Sequence, residues 1–514
     1  MTTIEYLSLP LYKRIYHKII AFFVSIPLFF AKLFTKTIPS FFVGIYKKIY
    51  QIFYNIYLFF VDGDVKTRIS FLVMGFGLFT RKSLLRGILY FLFQAAVIYF
   101  AVTIGIGSIA KIATFGYIAQ STYVDPILGI EVPTYQDDSF MLLLNTIIFV
   151  ILICIYIFLW YNQLKDSLEL QNLHRIGKTI KDKEIVKSLV GKNYHYVMLS
   201  IPTLGLIIFT IIPLIFMILV AFTNYSSQFQ QPKELFDWVG SYNFKKLFGL
   251  AGGAAAHEFA YVFGQILIWT LIWAVFATFT NYFLGMIVAM LINKKGIRLK
   301  KLWRTILITT IAVPQFISLL FMSRFLSTND GALNQLLLNF GIIDAPIKFL
   351  EDALIAKITI IVVNMWIGIP YTMLMCSGIL MNIPTDLYES ARIDGASPFK
   401  MYVKITLPYM LFVTGPYLIS NFVGNINNFN VIFLLSGGGP QFTNVKGQMI
   451  QSELFGAGQT DLLITWLYKM CMTQVEKDYG VASVIGIFVF IVVATFSLIT
   501  YSRSNAVKNE GDFQ

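Results

Sequence analysis

Eight stretches of this chain are apolar over lengths that matter: roughly 87–109, 140–161, 197–222, 265–292, 303–325, 354–381, 409–435 and 480–501. About 20 apolar residues, rising about 1.5 Å each as a helix, cross the hydrocarbon core of a bilayer. None of the runs alternates with period two, as barrel strands do. The pattern predicts an all-α polytopic membrane protein with eight transmembrane helices. Composition agrees: 57% of the 514 residues are hydrophobic and 13% charged, about half the charge of a soluble surface. That excludes a soluble multidomain enzyme and a disordered chain. The first apolar run, Ile19 to Phe34, is broken by Pro27 and Lys32 and does not read as a cleavable signal. Three cysteines, Cys154, Cys376 and Cys471, fall in or near apolar runs and read as packing residues.

Basic residues set the orientation. Thirty of the 40 Lys and Arg fall in residues 1–86, 162–196, 293–304 and 382–408 and in the tail. Cytoplasmic loops carry such an excess. Eight spans with both the N-terminus and the C-terminus cytoplasmic satisfy this rule at every loop. The net charge of +13 then reads as cytoplasmic loops on anionic membrane lipids, with no nucleic acid partner. In residues 1–86 Lys and Arg interleave with Phe, Tyr and Ile, as in Ile45-Tyr46-Lys47-Lys48-Ile49-Tyr50. This suits amphipathic helices in the inner interface; a ninth and tenth span is the lesser alternative. Asp62-Gly63-Asp64 reads as the turn that ends this region. Residues 87–222 hold accessory spans one to three, 223–264 a short extracellular loop, 265–501 a core of five spans, and 502–514 a cytoplasmic tail.

Spans four to seven carry almost no ionisable residue at membrane depth; Arg324 and Lys357 sit at span ends, where they can snorkel. Ion-driven carriers commonly keep an acid or histidine there. No GxxxxGK[ST] occurs: Gly177-Lys178-Thr179 has Asn172 where the first glycine belongs, and Gly191-Lys192 is followed by Asn193. The chain therefore builds no phosphate-cradling loop. His17, His174, His195 and His257 are scattered, without metal-ligand spacing. The chain is not read as an enzyme, and no catalytic, metal or cofactor residues are assigned.

The spans do contain buried amides. Asn364 lies in span six, and Asn421, Asn425, Asn427, Asn428 and Asn430 crowd the end of span seven. Asparagine is unfavourable in hydrocarbon unless paired. Positions 421, 425 and 428 share one helix face. Two readings stand: interhelical hydrogen bonding, or a site for a polar uncharged ligand such as a sugar, flanked by Phe422 and Phe429.

The loop after span six runs from Ile383 to Pro408. Thr385 or Asp386 reads as an N-cap, with Glu389 completing a capping box. Gly395 reads as the residue just past a helix end. Ser397-Pro398 restarts a helix with Pro at its first position, and Leu407-Pro408 turns the chain into span seven. The segment is either a hairpin on the inner membrane face or a helix that docks in a partner's groove.

Glu389-Ser390-Ala391, Gly395 four residues on, and Ile405-x-Leu407-Pro408 resemble the EAA loop of ABC importer permeases, with Ser390 in place of the usual alanine. Residues 265–501 resemble the permease domain of type I ABC importers. Asn364 to Tyr371, Asn425 to Phe429, and Leu435-Ser436-Gly437-Gly438-Gly439-Pro440 are similar to the maltose/maltodextrin permease subunit of that family, and Gly63 to Gly77 looks like the N-terminal part of maltodextrin permeases. The resemblance implies a type I ABC importer permease fold and a translocation subunit for maltodextrin-like oligosaccharides. Its implied partners are a second permease subunit, an ATPase dimer and an extracellular sugar-binding protein, with ATP and Mg held by the ATPase. It implies coupling residues Glu389, Ser390, Ala391, Asp394, Gly395, Ile405, Leu407 and Pro408. It also implies substrate-binding residues Asn364, Ile367, Gly368, Asn425 and Asn428. Three positions depart from the maltose relative: Asn421 stands for a smaller hydroxyl residue, and Ile311 and Gln315 stand where it has Tyr and Ser. The Gly437–Pro440 run reads as a plain turn, or as an outer gate or binding-protein contact. A stand-alone secondary sugar carrier is the alternative function, and a non-transporting scaffold a third.

Overall fold

The computed structural model describes residues 38–117, 122–133, 137–177, 194–229, 234–294, 296–443 and 456–503, with Thr35, Lys187 and Gly191. Residues 1–34, much of the 162–196 loop and most of the 502–514 tail, on which part of the sequence reading falls, lie outside the described residues. The chain forms two compact units, one up to Phe216 and one from Met217 onward, with Gln231–Leu235 assigned to the first.

In the first unit, helix α1 (Ile38–Val61) precedes three long apolar helices, α2 (Leu84–Lys111), α3 (Ser139–Arg175) and α4 (Tyr194–Val220), the last of which runs from Met217 on into the second. Lys47 and Lys48 stand exposed midway along α1. Helices α2 to α4 match the first three apolar runs. Only 6% of the most apolar stretch of α4 is buried within the chain, so its surface is left for lipid or a partner. One antiparallel hairpin departs from an all-helical chain: β1 (Thr122–Val124) pairs with β2 (Glu131–Pro133), Tyr123 opposite Val132.

Residues 62–83 bury Met74 and Leu78 and are braced as well by polar side chains. The Asp62-Gly63-Asp64 turn forms, and Asp64 N-caps Val65–Ile69 through the Thr67 N–H. Buried Arg81 donates to Gly77 O and Ser167 Oγ at 2.9 Å, to Thr67 Oγ1 at 2.8 Å, and to Asp64. Gln163 and Gln171, both on α3, bond Ser70 O and Asp62 O. Burial works against the charge of Asp64, but the Thr67 N–H and the Arg81 guanidinium outweigh it and hold its carboxyl below the ordinary value.

The second unit is built on α5 (Ala254–Asn293), which begins well before the apolar run 265–292. Helix α5 packs against α8 (Ala353–Leu380) and α10 (Pro398–Ile426). A Cβ on Gly285 would stand 2.6 Å from Thr372 Cβ, so glycine is what lets the α5 and α8 backbones approach so closely. Trp273, Tyr282 and Met286 anchor this core, and Tyr282 Oη and Thr414 Oγ1 bond at 2.7 Å. The last apolar run forms α13 (Tyr479–Arg503).

Two apolar runs are broken rather than straight. Run five divides into α6 (Lys300–Ala312) and α7 (Gln315–Phe325), bent by 89°. Pro314 lacks an N–H and drives Val313 into the extended region (φ −82°, ψ 125°). Run seven bends by 40° between α10 and α11 (Phe429–Leu435), where Asn427 leaves helical geometry and Asn428 caps the next segment. Among the described residues six helices are long and apolar enough to span a membrane, or eight if each bent pair counts as one.

Candidate functional site

Between α8 and α10 lies α9 (Thr385–Ile393), none of whose residues is buried. Ile393 is 87% exposed, more than a helix lying idle on its own protein would leave in the open. The expected cap does not form. Pro384 is the N-cap residue and Thr385 is already helical, because the rigid extended Pro384 starts the helix one residue early, so Asp386 and Glu389 form no capping box. Gly395 does end the helix, at φ +72°; its N–H bonds Arg392 O, and the Ala396 N–H bonds Ala391 O at 2.8 Å. Ser397 caps the restart through the Lys400 N–H, with Pro398 at the first position.

From there the chain does not turn at Leu407-Pro408. Pro398 to Ile426 is one continuous helix containing a π turn over Tyr402–Thr406. Pro408 follows directly on that segment, inside the continuous helix. Tyr388 Oη bonds Thr406 Oγ1 at 2.8 Å, tying α9 to the base of α10. Glu389, Ser390, Asp394 and Gly395 are exposed, Ala391, Ile405 and Leu407 half-buried, and Pro408 exposed.

At the far end of α10 the asparagines form a ladder. Asn421 Nδ2 donates to Tyr417 Oη at 3.4 Å. Asn425 Nδ2 donates to Asn421 Oδ1 at 3.2 Å and to Thr278 Oγ1 of α5 at 3.0 Å. Asn428 Nδ2 donates to Asn425 Oδ1 at 3.3 Å, and Asn428 Oδ1 accepts the Val431 N–H at 3.3 Å. Trp273 Nε1 donates to Asn425 O at 3.1 Å. The ladder therefore joins helices and also leaves Asn421 and Asn428 half-buried. Asn427 and Asn430 point away and are exposed.

On α8, Asn364 is buried and its Nδ2 has no partner. One turn on, a Cβ at Gly368 would strike the side-chain amide of Asn281 on α5, whose buried Oδ1 is also without a partner. Ile367 packs in the core around Trp269 and Trp273. Asn281 and Thr278 escaped the sequence reading, although an Asn inside an apolar run is the same signal that marked Asn364. Phe422 is no ligand platform: it is buried against Phe496, with ring centroids 4.3 Å apart. Phe429 stacks on Phe433 at 4.8 Å and meets the edge of Tyr468 at 4.9 Å.

Ile311 and Gln315 flank the bend of run five, both half-buried. No hydrogen bond among the described residues joins them to the ladder. A hollow of about 370 Å³ opens beside the bend, between Thr309, Thr310, Val313, Ile317, Phe321 and Trp366.

Gly437–Pro440 is more than a plain turn. Thr460 Oγ1 donates to Gly439 O at 2.6 Å, and the Thr460 and Gln459 N–H groups bond Gly438 O and Pro440 O. Fully buried Asp461 accepts from the Gly458 N–H at 2.7 Å, Thr465 Oγ1 at 2.9 Å and Lys469 Nζ at 2.7 Å. Burial pushes the Asp461 carboxyl up, against the pull of Lys469 and those donors.

Residues 281–505, from the amide of α5 through the exposed helix and the ladder, match the family described as binding-protein-dependent transport system inner membrane component. The galactooligosaccharides transport system permease protein GanP of Bacillus subtilis (strain 168) is 33% identical over 441 residues, 85% of this chain and 97% of its own. The chain belongs to this family of transport permeases. It is a multi-pass protein of the plasma membrane. The maltodextrin transport system permease protein MalC of Streptococcus pneumoniae serotype 4 is also similar, 33% identical over 392 residues, 73% of this chain and 84% of its own. Among solved structures, a bacterial ABC transporter involved in the import of the acidic polysaccharide alginate is 21% identical, covering 63% of this chain and 99% of that one at a TM-score of 0.45.

Proposed function

We propose that this chain is one of two permease subunits of an ATP-driven importer for maltodextrin- or galactooligosaccharide-like chains. In this reading it crosses the membrane eight times with both ends in the cytoplasm, and α1 lies in the inner interface with its lysines on lipid phosphates. A pair of separate ATPase subunits grips α9 and its counterpart in the partner permease. An extracellular binding protein delivers the sugar. ATP and Mg stay on the ATPase, and no covalent bond is made or broken here.

One observation carries the reading. The exposed α9 and the amide ladder sit at opposite ends of one continuous helix, α10, and Tyr388–Thr406 fastens α9 to its base. A push on α9 at Thr406 is then a displacement of the ladder about 20–30 Å away, at about 1.5 Å per residue. Amide donors and acceptors suit sugar hydroxyls, and an ATP-driven partner removes any need for a titratable relay, because the energy enters as differential binding to two states. The names of GanP and MalC support the substrate class.

Proteoliposomes holding both permeases and the ATPase, supplied with binding protein and radiolabelled maltodextrins or galactooligosaccharides, test this. Uptake should require ATP and survive collapse of ion gradients. Uptake by this chain alone, or uptake abolished by gradient collapse with ATP present, would overturn the reading in favour of a stand-alone carrier.

A further inference from the structure

At the end of α8 away from α9, a cup of about 660 Å³ lies between the end of α7, the segment just before α8 and the chain after α11. Its volume falls within the range of small-molecule sites, about 300–1,000 Å³. Arg324, Ser327 and Thr328 form one wall, Glu351 a second, and Phe433 with Ser436, Gly437 and Gly439 to Gln441 the third. We propose that this cup is an outer sugar subsite, which holds the trailing residues of a neutral oligosaccharide while its leading end meets the asparagine ladder. The proposal rests on the importer reading above.

Four observations carry it. Thr328 lines the cup at 8% exposure, and its Oγ1 is buried without a hydrogen-bond partner, a cost that a shift of this wall onto a ligand hydroxyl removes. Arg324 and Glu351 supply one positive and one negative group, both exposed; neither makes an ion pair among the described residues. A matched donor and acceptor favour a neutral polyhydroxyl over an acidic chain, which Glu351 would repel. The third wall is preformed, since the Thr460 and Gln459 bonds fix Gly438 to Pro440, so ordering it costs little on binding. Finally, Phe433 lines the cup and stacks on Phe429, next in sequence to Asn428 of the ladder. The seven residues of α11 make a stripe of about 10 Å from cup to ladder, apolar enough for sugar-ring faces and too long for a monosaccharide to bridge.

The test uses the complete importer at saturating, sugar-loaded binding protein. Uptake of maltose is compared with maltopentaose, and of galactobiose with galactotetraose. Thr328→Val should lower the rate on the longer chain about threefold more than on the disaccharide, the scale of one neutral hydrogen bond, and Arg324→Gln and Phe433→Leu should each shift the ratio in the same direction. The binding-protein concentration that half-maximally stimulates the ATPase should not move. Equal losses on both lengths, or no loss, overturn the subsite. A shift in that half-maximal concentration without length dependence overturns it in favour of a contact with the binding protein. Arg324 is exposed, so Arg324→Gln keeps the test alive if Thr328→Val does not assemble. A wild-type complex that moves neither sugar series would sink the importer reading itself, which separates that failure from failure of the subsite.

Discussion

Asn425 is where the two readings of the ladder separate. It is buried, bonds Thr278 across to α5, and passes bonds along to Asn421 and Asn428. Asn425→Ala should therefore cost about 1–2 kcal/mol of stability as well as lower uptake, read as a reduced Tm of the detergent-purified complex. Asn421 bonds Tyr417 and Asn425 of its own helix and, among the described residues, no other helix, so Asn421→Ala should shift stability by less than about 0.5 kcal/mol while still cutting sugar uptake. Full uptake in Asn421→Ala would make the ladder interhelical bonding alone. At Gly368 a methyl would meet the Asn281 amide; Gly368→Ala should cost about 1–3 kcal/mol by overpacking. Asn281 has an unpartnered Oδ1, so Asn281→Ala should be cheaper and should rescue Gly368→Ala. A double variant no better than the sum of the singles, measured by denaturant unfolding, would show that this contact is not the cause. The i, i+4, i+7 spacing made the ladder legible in sequence. Asn281 and Thr278 were not, because what makes them matter is a neighbour many residues away in the chain, Gly368 for the one and Asn425 for the other.

Among the elements, α9 depends on two small features. Nothing lies within 4 Å of a Cβ built on Gly395, so Gly395→Ala pays only the left-handed backbone, about 1–2 kcal/mol. Its effect should be a frayed helix end, not a clash. Tyr388→Phe removes only the hydroxyl that holds α9 to Thr406. It should lower binding-protein-stimulated ATP hydrolysis about threefold, the scale of one hydrogen bond, with membrane insertion unchanged. Undiminished stimulation would mean that α9 does not transmit through α10. The Gly395 stop and the Ser397-Pro398 start were readable because each is a local device of two or three residues. The N-cap was misread because Pro384 pre-empts it. The turn at Pro408 was misread because a π turn lets the helix run on. The 89° bend at Val313-Pro314 hides inside an apolar run, since hydropathy reports burial in lipid and says nothing of the backbone angle.

At the scale of the molecule, the apolar runs reappear as helices, because length and hydropathy alone decide what lies in hydrocarbon. The brace around Arg81 and the Thr460 bonds to Gly438 and Gly439 do not follow from hydropathy; both are polar contacts between segments separated in the chain. Orientation joins the two halves of the argument. Helix α8 is 28 residues long, about 42 Å, enough to span, so its ends must open on opposite sides. Asp344 lies exposed ahead of α8 and Phe399 exposed beyond α9. A membrane-impermeant maleimide applied to intact cells should label Asp344→Cys, and Phe399→Cys only after permeabilisation. Native Cys154, Cys376 and Cys471 lie within α3, within α8 and beside α12 (Leu463–Tyr468), so the unsubstituted chain sets the background. Labelling of Phe399→Cys from outside would put α9 beyond the reach of any cytoplasmic ATPase. It would also turn the cup inward, so a sugar arriving from a binding protein would meet α9 before the ladder, and neither element would retain the role assigned to it.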